Sequence, residues 1–185
     1  SAASDVYKRQ ILDGGDGSDV LDGGDGNDVL VNAVVDDGDD TLVGGEGTDL
    51  YRLKGWSISE IFELDWIELD EGDPDTSSDD IAAHLLATRK DASEVLLETE
   101  TVRGAERVHV AGFGGSDVVD FRALTALKLT EASISELHGY GGSSKDTLYG
   151  SAGAEYLFGG GARDELYGGV GDDTLFGDYG DDEIT

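Results

Sequence analysis

The chain has no cysteine and no methionine, not even an initiator. Without cysteine no disulfide can staple the fold, and a bound metal is the usual substitute in a protein outside the cell. Without methionine the chain reads as a fragment or a processed piece. Proline occurs once, at Pro74, which excludes a proline-rich linker and a collagen. Positive charge is scarce: 12 Lys and Arg stand against 42 Asp and Glu, a formal net charge of −30. That excess repels a nucleic-acid backbone or an anionic membrane, so cations are the natural partners. No apolar run approaches the ~20 residues of a membrane span. No basic, then apolar leader opens the chain.

Glycine is abundant, 29 of 185 residues, roughly twice its average share. It is placed together with aspartate. Residues 14–31 read GGDGSDVLDGGDGNDVLV, and residues 168–185 read GGVGDDTLFGDYGDDEIT. The unit is G-G-x-G-x-D-x-(aliphatic)-x, with positions numbered 1 to 9 below. Units occupy 14–22 and 23–31, then Asn32 to Val34 break the phase, then 35–43 (degenerate at its start) and 44–52 follow. Five more run without a gap from 141 to 185. Self-similarity at a fixed short period is the signature of a solenoid.

The first ten residues, SAASDVYKRQ, do not fit the pattern and read as adapter read-through or a cloning scar. The predicted organisation is a scar at 1–10, a first repeat block at 11–52, an irregular β-rich segment at 53–140 and a second repeat block at 141–185. The predicted class is all-β.

Each unit has two physical parts. Positions 7 to 9 suit a short strand, with position 8 facing inward because side chains alternate along a strand. Position 8 holds Leu21, Leu30, Leu42, Tyr51, Leu148, Leu157, Leu166, Leu175 and Ile184. Positions 1 to 6 must turn the chain back, and glycine accepts left-handed backbone angles without strain. Two units then make one flattened coil of 18 residues, and coils stack at about 4.8 Å. Asp146 comes to lie near Asp164, and Asp164 near Asp182; on the other edge Glu155 lies near Asp173.

Two bare carboxylates ~5 Å apart repel by roughly 3 kcal/mol at an effective dielectric of about 20. A row of them would exceed the ~5–15 kcal/mol that holds a whole domain. A cation between the turns reverses the sign. Calcium takes about 6–8 oxygen ligands, carbonyls and carboxylates alike, whereas magnesium demands a tighter octahedron and keeps its waters. Zinc does not suit a chain with no Cys and three scattered His.

In these units the sequence resembles the RTX (repeats-in-toxin) nonapeptide proteins, whose parallel β-roll binds calcium. The resemblance implies a β-roll in two blocks flanking the irregular segment. It also implies a secreted bacterial protein, part of a larger parent, exported unfolded by a type I system and folded by external calcium. Its secretion signal would lie beyond Thr185. The resemblance makes the position-6 aspartates side-chain ligands: Asp19, Asp28, Asp40, Asp49, Asp146, Asp164, Asp173 and Asp182. Turn carbonyls complete each site, for on the order of 4–7 ions. Glu155 departs from the pattern, as do Ser144 and Ala162 in place of the fourth glycine, which marks the sites they touch as weak. The break at 32–34 threatens the partner of Asp28.

Between the blocks, EIFELDWIEL (60–69), SEVLLETETV (93–102) and RVHVAGF (107–113) read as strands. SDDIAAHLLATRK (78–90) fits a helix capped by Ser78, and a strand nearly as well. GFGGSDVVD (112–120) is a degenerate unit with Asp117 at position 6 and Val119 at position 8. DEGDPDTSSDD (70–80) reads as an acidic loop and not an EF-hand, since His84 falls where the closing glutamate belongs.

His84, His109 and His138 show no metalloprotease spacing and read as structural; there is no nucleophile motif and no G-K-[ST] phosphate cradle. Position 9 of the second block is aromatic: Tyr149 and Tyr167 on one outer face, Phe158 and Phe176 on the other. Either stacking along the roll or a docking face explains them. The reading is a non-catalytic calcium-binding module. The alternatives are the tail of a secreted protease or lipase, or part of a calcium-dependent adhesin.

Overall fold

The computed structural model describes residues 9–15, 17–32, 38–55, 59–70, 81–93, 96–131 and 133–185. Residues 1–8 and 71–80 lie outside these, and with them most of the scar and of the acidic loop.

The first block forms β1 (Ile11–Asp13), β2 (Val20–Asp22), β3 (Val29–Asn32), β4 (Thr41–Val43) and β5 (Leu50–Lys54). The middle segment adds β6 (Glu60–Asp70), β7 (Ile81–Asp91), β8 (Leu96–Arg103), β9 (Arg107–Phe113), β10 (Val118–Asp120), a short helix α1 (Ala126–Glu131) and β11 (Glu136–Gly142). The second block supplies β12 (Thr147–Tyr149), β13 (Glu155–Gly161), β14 (Glu165–Tyr167), β15 (Thr174–Tyr179) and β16 (Glu183–Ile184). One sheet is seven-stranded and parallel, in the order β1-β3-β5-β9-β11-β13-β15. The facing nine-stranded sheet runs β2-β4-β8-β7-β6-β10-β12-β14-β16, parallel except at β7. Both sheets pass through the middle segment, so the two repeat blocks belong to one stack.

The core is the predicted position-8 ladder. Leu21 pairs with Leu42, Leu12 with Leu30, Leu148 with Leu166 and Leu157 with Leu175. Leu30, Leu42, Leu148, Leu157 and Leu166 are buried, while Ile184, on the last strand, is half exposed. The aromatic residues of position 9 stack along the outer faces: Tyr149 on Tyr167 at 5.0 Å, and Phe158 on Phe176 at 5.0 Å. Tyr140 extends the Phe row at 4.9 Å. Such cross-strand pairs contribute about 0.2–1 kcal/mol each.

The glycines of the unit serve two ends. Positions 2 and 4 hold left-handed backbone, as at Gly160 (φ 104°) and Gly171 (φ 144°). Phe113 and Asp178 at position 2, and Ala162 at position 4, take the same angles without being glycine, at a cost of roughly 1–2 kcal/mol each. Position 1 is glycine for lack of room, because its turn closes onto the position-6 carboxylate.

The stack continues past the phase break in the sequence: Asp28 N–H donates to Asp49 Oδ1 at 2.7 Å, across 21 residues rather than 18. Residues 81–91 are strand, not helix: β7 pairs antiparallel with β6 along its whole length and with β8 on the other side. Only residues 61–63 of β6 pair with β10, and only residues 101–103 of β8 with β4. The meander therefore joins the roll at its ends and pairs with itself elsewhere. The helix of the middle segment is α1, where Thr125 Oγ1 accepts from Lys128 N–H and Leu129 is buried.

The blocks share sheets but not one register. Tyr51 is level with Val108, Leu137 and Glu155, whereas Leu53 is level with Val110, Gly139 and Leu157. The second block is thus shifted by two residues along the strands.

Candidate metal centre

Each turn ends on a position-6 carboxylate, and the carboxylates form two rows, one at each edge of the roll. In the row before the nine-stranded sheet, Asp19 N–H donates to Asp40 Oδ1 at 2.8 Å. Farther along, Glu60 N–H donates to Asp117 Oδ1 at 2.8 Å, Asp117 N–H to Asp146 at 2.7 Å, Asp146 N–H to Asp164 at 2.8 Å and Asp164 N–H to Asp182 at 2.9 Å. In the other row, Gln10 N–H donates to Asp28 at 2.6 Å, Asp28 to Asp49, and Asp49 N–H to Glu106 Oε2 at 2.7 Å. Glu155 N–H donates to Asp173 Oδ1 at 3.1 Å. All eight sequence-predicted aspartates stand in these rows.

One oxygen of each of Asp28, Asp40, Asp49, Glu106, Asp117, Asp146, Asp164, Asp173 and Asp182 is thus used to bind the coils together. Oδ2 of Asp19, Asp28, Asp49, Asp117, Asp146 and Asp164 is buried and accepts no hydrogen bond. Leaving such a group unmet costs about 1–3 kcal/mol, more when it is charged. These oxygens point to the position-1 glycines. A Cβ on Gly141 would meet Asp146 Oδ2 at 2.5 Å and the Gly159 carbonyl of the next coil at 2.7 Å. On Gly159 it would meet Asp164 Oδ2 at 2.6 Å and the Gly177 carbonyl at 3.0 Å. A carboxylate oxygen and a carbonyl oxygen converge in this way on Gly23, Gly44, Gly55, Gly112, Gly141, Gly150 and Gly159, where no side chain stands. Hard, all-oxygen donors of this kind fit calcium.

The electrostatics agree. Burial, with the charges of Asp146 and Glu60, pushes the Asp117 carboxyl up to about 7, against the lowering effect of the Glu60 N–H. Burial and the neighbouring Asp164 push Asp146 up to about 6. Burial likewise raises Asp49 and Asp164. These groups resist ionising unless a positive charge joins them.

Three members of the rows escaped the sequence reading as site residues: Glu60, Glu106 and Asp117. Asp117 was visible in its degenerate unit. Glu60 has Gly55 five residues before it and Phe62 two after, the frame of positions 1, 6 and 8. Glu106 has Gly104 and Val108 around it, positions 4 and 8. Glu60 differs from the rest in its partner. Its carboxylate meets Arg89 Nη1 at 3.3 Å, and both side chains are almost wholly buried. Where the meander replaces the next coil, a cation of the chain's own faces the row.

Glu155 departs from the pattern for a structural reason. Because of the two-residue shift, its neighbour on the preceding coil is Leu137 and not a position-6 residue. Its carboxylate instead accepts from Ser151 N–H at 2.9 Å and from the Ser151 hydroxyl.

Stacked parallel coils with carboxylate and carbonyl oxygens converging at successive inner turns define a calcium-binding parallel β-roll. The model of the RTX calcium-binding nonapeptide repeat matches in four copies, at residues 10–32, 34–52, 139–166 and 158–185. The chain carries RTX calcium-binding nonapeptide repeats, a calcium-binding repeat module. No curated protein and no solved structure matches it.

Proposed function

We propose that the chain is a calcium-operated folding module of a larger secreted protein and carries no catalytic site of its own. The observation that supports this most directly is the set of buried Oδ2 oxygens that accept no hydrogen bond. Asp19, Asp28, Asp40, Asp49, Asp146, Asp164, Asp173 and Asp182 are the proposed side-chain ligands, joined by Asp117, with position-1 carbonyls completing the sites. Bound calcium supplies positive charge and oxygen coordination at these turns. Without it, the carboxylate rows repel along both edges and the roll opens. A chain that stays open where free calcium is scarce suits export in the unfolded state, followed by folding outside the cell.

Far-UV circular dichroism of the chain, titrated with calcium from an EDTA-treated start and with magnesium in parallel, tests this. The expected result is a cooperative gain of β signal with calcium alone. A fold already complete in EDTA and unchanged by calcium would make the aspartates surface charge and defeat the proposal.

A further inference from the structure

Two of the three histidines meet on the outer face of the seven-stranded sheet. β9 and β11 are parallel, with His138 opposite His109 and Glu136 opposite Arg107. Val108, Val110 and Leu137 point into the core, so His109, Glu136 and His138 point outward. The imidazoles stack with centroids 4.3 Å apart and planes within 5°. His109 Nε2 lies 2.9 Å from Glu136 Oε1, and His138 Nε2 lies 3.4 Å from the same oxygen. One ligand atom from each residue falls within 4.8 Å of the other two. All three side chains are partly buried, at 19%, 34% and 16% exposure for His109, Glu136 and His138. They are shielded from bulk water yet reachable.

The far side of His138 is also occupied. Its Nδ1 is 2.9 Å from Tyr140 Oη. With Nδ1–H donating to the phenol oxygen, the Nε2 lone pair faces Glu136. A hydrogen bond of this kind to the second ring nitrogen is what orients a metal-binding imidazole.

We propose that His109, Glu136 and His138 form a second metal site, for a divalent transition-metal ion of the Zn2+ class. Its chemistry is distinct from the calcium cradles. Imidazole nitrogen suits zinc, copper and nickel, whereas calcium takes oxygen. Binding moves the His109 proton from Nε2 to Nδ1, so that Nε2 can coordinate, and frees Glu136 Oε1 from that hydrogen bond. Parallel rings offer parallel lone pairs, so binding splays the stack until both nitrogens sit about 2.0–2.1 Å from the ion. Three protein ligands leave the fourth tetrahedral position to water or to a partner's side chain. Arg52 and Arg107 act against a bound cation here, and Glu136 offsets them.

The test is calorimetric titration of the full chain with Zn2+ in saturating calcium. One equivalent should bind and should not be displaced by more calcium. Glu136→Gln and Tyr140→Phe should each weaken it by about 10-fold or more, the His109→Gln/His138→Gln double variant should abolish it, and Arg52→Gln should tighten it. All four should keep the calcium-dependent circular dichroism of the parent. Zinc that calcium displaces, or that the double variant still binds, places the ion in the acidic cradles and overturns the site. Should the double variant fail to fold, electron paramagnetic resonance of the parent chain with Cu2+ decides. Coupling to two imidazole nitrogens supports the site, and an all-oxygen spectrum refutes it.

Discussion

Replacing Asp146 by Asn removes one charge from the middle of a buried row and preserves the side chain's shape. Asp146 stands between Asp117, whose N–H it accepts at 2.7 Å, and Asp164, to which its own N–H donates at 2.8 Å. Each neighbouring carboxylate is one strand spacing away, ~5 Å, and contributes roughly 3 kcal/mol of repulsion at an effective dielectric of about 20. The amide keeps an acceptor for the Asp117 N–H. Its NH2 takes the place of Oδ2 and donates toward the glycine carbonyls. Without metal, the variant should therefore be more stable than the parent by about 1–3 kcal/mol, allowing for solvent relaxation. With calcium it should be less stable, and the calcium midpoint should rise ~10-fold or more, the equivalent of about 1.4 kcal/mol. The assay is urea denaturation followed by far-UV circular dichroism, in EDTA and in calcium, both at pH 7.5, above the folded-state value of Asp146. The reasoning requires opposite signs in the two conditions. A loss of stability in both would make Asp146 a structural acceptor only, and no effect in either would make it surface charge.

Acid should substitute for calcium in part. The folded-state values of Asp117 and Asp146, about 7 and about 6, lie above the ordinary 3.8. Their contribution to metal-free stability is thus fully present below pH ~4 and lost as pH rises through 6 to 7, by about 4 and 3 kcal/mol at most. Melting temperatures in EDTA between pH 4 and 8 check the sign, and stability that grows with pH would contradict it. Arg89→Gln should cost about 3–5 kcal/mol by leaving the Glu60 carboxylate buried without its cation, visible as a lower melting point even in saturating calcium; an unchanged melt would mean Glu60 is neutral in the fold. Ala162→Gly should stabilise the roll by about 1 kcal/mol, because Ala162 holds φ at 88°. Destabilisation in calcium would show that its methyl packs more than its backbone strains.

Much of this protein is written in its local period. A nine-residue unit carries its own turn, strand and carboxylate. Any two units 18 residues apart must therefore meet, and Asp146, Asp164 and Asp182 line up as the spacing requires. The cation and the inward ladder follow from the same unit. What the period cannot encode is partner choice where coils differ in length. Residues 81–91 suit helix and strand alike, and pairing with β6 decides the matter. The six residues of α1 are too few to signal a helix, and their packing through Leu129 settles it. Asp49 reaches Glu106 across 57 residues, and Glu60 reaches Asp117 across another 57, because the meander stands between coils that remain neighbours. His109 and His138 meet because the coil between them is 29 residues long, the separation that also joins Asp117 to Asp146. The sequence alone determined the repeating turn, its carboxylate and its core, since each is local. The tertiary structure decided the continuity of the two blocks, the counter-ion of Glu60 and the pairing of the histidines, because each depends on which strands lie side by side.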